Sequence, residues 1–275
     1  MQPHPNRQIQ CNQLERQSEC NPRLAAGLHS LCLLTPYTPV PFDPQSPLRF
    51  GIISRMEPTC KYPLDLFHQF DFHSYGHAME ILADSFAEEW GDIRKALESF
   101  EITTAELKKA GGNETEIPKK FDSILYPLGW KEIKITGDLL VKIFPRKGKK
   151  GRFDTNPNEE KLIEGWIDGH NIDFVKGKVA FDLEWNSKDQ TFDRDLLAMR
   201  TYFDCGIIDV GIIVTRAEEL NDIFKSLGIQ AKYGASTTWM GKLLPRLDSR
   251  RNGGCPILAI GIRKKCVVDW KDGKK

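Results

Sequence analysis

Two short apolar runs, Ile172-Asp173-Phe174 and Val179-Ala180-Phe181-Asp182-Leu183-Glu184-Trp185-Asn186, flank a Lys176-Gly177-Lys178 turn and carry three carboxylates between them. A strand alternates its side chains with period two, so Asp182, Glu184 and Asn186 project from one face and Phe181, Leu183 and Trp185 from the other. A tight turn at Gly177 brings Asp173 opposite the second strand. Like charges so close repel, and burying one without a partner costs several kcal/mol, so the pattern asks for a cation beside a rigid β-hairpin. All the donors are hard oxygens, the Leu183 carbonyl being available as a further ligand, and such a set suits Mg²⁺. The spacing D-x8-D-x-E is short and degenerate. A solvated hairpin whose acids merely face water is the competing reading.

The rest of the chain supplies elements that could house such a hairpin. Ile81, Leu82, Phe86, Trp90, Ile93 and Leu97 recur at helical spacing and predict one amphipathic helix over 78–100. A second helix is expected over 104–110, ending at Gly111-Gly112. Residues 131–143 alternate as a strand, and Pro-Arg-Lys-Gly-Lys-Lys-Gly-Arg after them reads as a loop. Asn156-Pro157-Asn158 predicts a short helix over 159–166. After the acidic strands, Phe192, Leu196, Met199 and Phe203 mark a helix over 191–204 with Gly206 just past its end. A buried strand follows over 207–215, then helices over 217–227 and 236–247 and a final strand over 256–262. From residue 159 the expected order is helix, strand, strand, helix, strand, helix, helix, strand, which makes the fold class α/β with the acidic strands near the middle of a mixed sheet.

Composition narrows the classes of function. At 275 residues and 40% hydrophobic content the chain can bury a full core. No run approaches the roughly 18 apolar residues of a membrane span, and the N-terminus lacks a secretory layout, so no membrane association and a cytoplasmic setting are expected. Seven scattered cysteines without a CxxC pair read as reduced thiols. The net charge of +1 offers no global basic field, so any nucleic-acid surface has to be local. Candidates are 142–152, with six basic residues around two glycines, then Arg246, Arg250 and Arg251, and Arg263, Lys264 and Lys265. Each such run is more often a solvated face. Residues 1–55 are rich in Pro, Gln, Asn and Arg without periodicity, which predicts a disordered extension ahead of a single domain over 56–275. A start at Met56 is a hypothesis attached to that boundary, and mass determination of the native product tests it.

Some further residues have bland readings. His73 and His77 stand at i, i+4, but no third ligand accompanies them and they read as ordinary surface or core histidines with His68. Asn158, Glu160 and Glu164 could add to a metal shell from the expected short helix. Arg194 beside Asp193 and Asp195 reads as an ion pair within the helix or to a loop. Ser236, Thr237 and Thr238 could simply cap the helix after them.

Several segments together are far more specific. Glu184-Trp185-Asn186-Ser187-Lys188-Asp189 runs into Thr191-Phe192-Asp193-Arg194-Asp195-Leu196; Lys232-Tyr233-Gly234-Ala235-Ser236-Thr237-Thr238 leads to Met240-Gly241-Lys242-Leu243-Leu244-Pro245-Arg246; and Gly253-Gly254-Cys255-Pro256 precedes the last strand. This combination resembles the BglII/BstYI group of type II restriction endonucleases, over roughly residues 62–265 and most strongly from 159 onward. The resemblance implies a restriction-endonuclease-like PD-(D/E)xK core, about 156–265, with a mixed β-sheet flanked by helices. It also implies a homodimer on double-stranded DNA, Mg²⁺-dependent cleavage within a short palindrome with a GATC-like centre and 5′ overhangs, and a cognate methyltransferase acting on the same site. By position Asp173 is the first acidic ligand, Asp182 the second and Glu184 the third catalytic group, with Leu183 lending its carbonyl to the metal. Glu is expected where Asp182 stands, and many nucleases of this superfamily carry Lys where Glu184 stands. A carboxylate can orient or deprotonate water but supplies no ammonium charge. Asn186, Ser187, Lys188, Lys232, Ser236, Thr237 and Thr238 are the implied DNA contacts. A structure-specific repair nuclease and a catalytically inactive DNA-binding protein of the same fold are the alternatives.

Overall fold

The computed structural model describes residues 63–109 and 116–271, all within one unit, Glu57–Lys275. The expected extension over 1–55, the Met56 boundary and the Gly111-Gly112 helix stop lie outside the described residues. Six strands form a single sheet: β1 (Phe70–Tyr75), β2 (Lys131–Ile143), β3 (Glu159–Lys176), β4 (Val179–Glu184), β5 (Val210–Arg216) and β6 (Ile257–Ile262). Their order is β1-β6-β5-β4-β3-β2. β4, β5 and β6 run parallel, while β1 and the β2–β3–β4 meander pair antiparallel. The mixed α/β sheet read from the sequence is the fold observed.

Period-two alternation sorts each central strand onto two cores. Phe181 and Leu183 of β4, Val210, Ile212 and Val214 of β5, and Leu258, Ile260 and Ile262 of β6 enter the larger one. It is covered by α1 (Ala78–Ser85), α2 (Ala87–Glu98), α3 (Thr104–Lys108), α4 (Glu116–Leu125) and α6 (Leu220–Ser226). The opposite face holds Ala180, Ile213, Ile257 and Ala259 under α5 (Thr191–Asp204) and α7 (Met240–Asp248). Gly211 on that face lets α5 lie close: a Cβ there would stand 2.6 Å from Met199 Sδ. Asp182 and Glu184 belong to this second face.

Several expected elements are corrected. The helix predicted over 78–100 is two helices, broken at Phe86, which leaves helical conformation (φ −130°, ψ 48°). The apolar period survives the break because both helices turn the same side toward one core. Residues 159–166 are no helix but the first half of β3, pairing with β2 through Leu139↔Ile163 and Leu140↔Leu162. Asn158 caps nothing there; its N–H donates to the Ile143 carbonyl at 2.9 Å and closes the β2–β3 loop. Cross-strand pairing of apolar residues outweighed a capping signal. The observed order from residue 159 is therefore strand, strand, helix, strand, helix, helix, strand. β1 and α4 were not read from the sequence, and the remaining boundaries shift by a few residues. Cys205, Cys255 and Cys266 are free thiols.

Candidate active site

The β3–β4 hairpin turns at Gly177, whose φ of +54° suits glycine. Its regular pairing runs Lys176↔Val179, Val175↔Ala180 and Phe174↔Phe181. Beyond that point side chains take over the ladder. Asp173 N–H donates to Asp182 Oδ1 at 2.9 Å, and Leu183 N–H donates to Asp173 Oδ2 at 3.0 Å. The two aspartates are thus fixed crosswise by main chain, each holding the partner strand through one carboxylate oxygen. Asp182 Oδ2 is buried with no hydrogen-bond partner among the described residues.

Glu184 lies two residues on, 7% exposed, on the same face. Thr191 Oγ1 donates to its Oε2 at 3.2 Å, the Ser187 hydroxyl also bonds it, and Arg194 Nη2 stands 3.8 Å from Oε1. Burial, then the charge of Asp195 on α5, pushes the Glu184 carboxyl up to about 8. The same causes in the same order raise Asp182 well above the ordinary range, with Asp173 adding to them. Asp173 is also raised by desolvation, against the opposing bond from Leu183. Three neighbouring carboxyls held toward their protonated forms are a site that favours an added positive charge.

The donors are hard oxygens, and one buried aspartate oxygen is orphaned. That chemistry fits a divalent ion such as Mg²⁺ held by Asp173, Asp182 and Glu184 with the Leu183 carbonyl. Among the described residues no three His, Cys, Asp or Glu side chains stand in a preformed metal cage. Two of the four aspartate oxygens are engaged with backbone N–H groups instead. Glu160 and Glu164 take no part: they sit on β3 roughly 30–40 Å of extended chain from Asp173, and Asn158 precedes them. His73 is in β1, 3.1 Å from Asp71, and His77 opens α1 beside Glu80. They read as the ordinary histidines expected.

The two segments expected to meet DNA are brought together. Lys188 bridges to Thr237; Thr238 N–H donates to the Ser187 carbonyl and Asp189 N–H to that of Ser236, both at 2.9 Å. Lys188 and Ser236 are exposed, Asn186, Ser187 and Thr237 half-buried, and Thr238 buried. Capping is not the role of Ser236, Thr237 or Thr238, since α7 starts at Met240 without a side-chain cap. Lys232 is occupied elsewhere: its Nζ donates to the carbonyls of Leu107 (3.0 Å) and Lys109 (2.5 Å). Asn186 Nδ2 donates to the Lys232 carbonyl at 3.3 Å and ties the two segments.

Arg216 was not singled out in the sequence. It ends β5, is 1% exposed, lies 5.0 Å from the Tyr233 ring centroid and 5.4 Å from that of Phe224, and donates to the Thr238 carbonyl from both Nε (3.1 Å) and Nη2 (2.7 Å). Burial lowers its guanidinium to about 10, so it remains charged at neutral pH. Asp195 was missed in a different way, as a mere ion-pair partner of Arg194. Its position among Phe192, Leu196 and Met199 places a carboxylate on the buried stripe of α5, a signal present in the sequence.

A family model described as restriction endonuclease BglII/BglIII matches residues 70–262, from the first residue of β1 to the last of β6. The chain belongs to the BglII/BglIII restriction endonuclease family. No curated protein matches it. Membership carries the type II restriction nuclease class, hydrolysis of DNA and binding of double-stranded DNA at the level of the family. The family match spans both acidic strands and the joined 186–189 and 236–238 loops. Among the described residues no helix is long and apolar enough to cross a membrane.

Proposed function

We propose that this BglII-family chain is a Mg²⁺-dependent endonuclease that cuts both strands of a short palindrome as a symmetric homodimer. Asp173, Asp182 and Glu184, with the Leu183 carbonyl, serve one scissile phosphate in each subunit. The observation that carries this reading is the crosswise Asp173–Asp182 exchange with main chain, which leaves Asp182 Oδ2 orphaned beside Glu184. When bound there, a divalent ion supplies a Lewis acid that acidifies water and offsets charge on the leaving oxygen. The protein holds the donors rigid through β3 and β4. Glu184, steadied by Thr191 and Ser187, orients the attacking water and accepts its proton in the ionised form. Arg194 provides a positive charge near that carboxylate where no lysine stands.

Lys188 and Ser236, with the half-buried Asn186, Ser187 and Thr237, form the DNA-facing surface, while the buried Thr238 and the engaged Lys232 support it from beneath. Two-fold symmetry of an isologous dimer favours a palindromic site. A GATC-like centre with 5′ overhangs, a cognate methyltransferase that modifies the same site without binding this chain, and a cytoplasmic setting complete the proposal. The endonuclease domain is taken as 56–275, with its catalytic core at about 156–265.

The test is a plasmid of known sequence incubated with the protein and Mg²⁺, with the resulting termini sequenced. One fixed palindrome with staggered 5′ ends at every terminus supports the proposal. Cutting confined to junctions or flaps points to a repair nuclease, and specific binding without cleavage in Mg²⁺ or Mn²⁺ to an inactive DNA-binding protein; either result overturns it.

A further inference from the structure

Helix α5 brings a fourth carboxylate to the acid face. Asp195 is 1% exposed. Its Oδ1 carries every structural duty visible: His170 Nε2 lies 3.2 Å away, Arg194 Nε 3.2 Å and Arg194 Nη2 3.0 Å. The His170 contact ties α5 to β3 just before the acidic hairpin. Oδ2 is buried and has no hydrogen-bond partner among the described residues, the same condition as Asp182 Oδ2.

An unpartnered carboxylate oxygen in a protein interior is costly, and two in one negative field are costlier still. Arg194 Nη2 lies 3.0 Å from Asp195 Oδ1 and 3.8 Å from Glu184 Oε1, which places Asp195 beside the hairpin acids. A side chain whose only task was to anchor α5 would need one oxygen, and an asparagine would serve. Arg194 shares its guanidinium between Asp195 and Glu184, so it leaves the face short of positive charge.

We propose that Asp195 is a fourth oxygen donor of the cation site, contributing Oδ2 together with Asp182 while His170 and Arg194 fix its other oxygen. This rests on the nuclease reading above but adds a ligand from outside the hairpin. The helix would then set the position of the ion as firmly as the two strands do.

Mn²⁺ binding to the full chain, followed by electron paramagnetic resonance without DNA, tests it alongside thermal melting in EDTA. Asp195→Asn is expected to lose about tenfold or more in Mn²⁺ affinity, because affinity follows the number of ligand charges. Its melting point in EDTA should stay level or rise, since the amide keeps the Oδ1 contacts and removes a buried charge. Asp195→Glu should bind Mn²⁺ more tightly than Asp195→Asn. Wild-type affinity in Asp195→Asn, with Asp182→Asn impaired, overturns the assignment of Asp195 and leaves the nuclease reading standing. Failure of the wild-type chain to bind Mn²⁺ overturns both. Should Asp195→Asn not fold, Mg²⁺ titration of wild-type protein labelled with ¹³C at the aspartate carboxyls decides: displacement of the Asp195 resonance with those of Asp173 and Asp182 supports the proposal, and an unmoved Asp195 resonance contradicts it.

Discussion

The Asp173 main-chain N–H donates to Asp182 Oδ1 at 2.9 Å at the point where regular pairing of β3 and β4 stops. One carboxylate oxygen thereby does the work of a backbone carbonyl and the other is left without a donor. Asp182→Asn preserves the accepting oxygen and removes the charge. In EDTA this variant is expected to be at least as stable as wild type, because it removes a buried charge while an uncharged amide takes the place of the orphaned oxygen. Cleavage in Mg²⁺ should fall by at least about a hundredfold, as for loss of one electrostatic stabiliser. Denaturant unfolding and a plasmid assay on the same preparation check both halves.

The raised carboxyls predict how stability varies with pH. Glu184 titrates near 4.5 when unfolded and at about 8 when folded, so between those values the folded state keeps a proton that the unfolded chain has lost. Its contribution is fully present below about pH 4.5 and is lost as pH rises toward 8. The upward shifts of Asp173 and Asp182 act in the same direction. Urea midpoints in EDTA should decline across this window, less so for Glu184→Gln, and Mg²⁺ should flatten the decline.

Two lysines of the same expected DNA surface should separate. Lys188 is exposed, whereas Lys232 is engaged with main-chain carbonyls. Lys188→Ala is expected to weaken DNA binding and lower the slope of log K against log salt by about one. Lys232→Ala should leave the slope unchanged and reduce the melting temperature. Fluorescence anisotropy at several salt concentrations, with calorimetry, measures both.

Arg216 supports the 237–238 loop from inside the protein. Arg216→Ala strands the Thr238 carbonyl and removes the charged donor, which is expected to cost about 3 kcal/mol. Binding of specific DNA should weaken more than binding of non-specific DNA, because the loop is displaced while the exposed charges remain.

Strand alternation placed Asp182 and Glu184 opposite Phe181 and Leu183, and the helix after them starts and stops at the expected residues. These features were legible because local periodicity and burial agree there. The β3 extension was not, since Asn156-Pro157-Asn158 imitates a helix start and only a partner strand distant in sequence reveals otherwise. Lys232 is among the implied DNA contacts because its own segment cannot disclose that Leu107 and Lys109 offer it two carbonyls. Asp195 needed the fold in a similar way: its charge matters because α5 folds back over the hairpin. The joining of the 186–189 and 236–238 loops likewise depends on tertiary pairing.

The most direct measurement is the rate of Mg²⁺-dependent plasmid cleavage by Glu184→Ala, with dimerisation and DNA binding checked on the same protein. A catalytic role for the acidic hairpin predicts that cleavage is abolished while dimerisation persists and DNA is still bound. Near wild-type cleavage by a folded Glu184→Ala protein contradicts it.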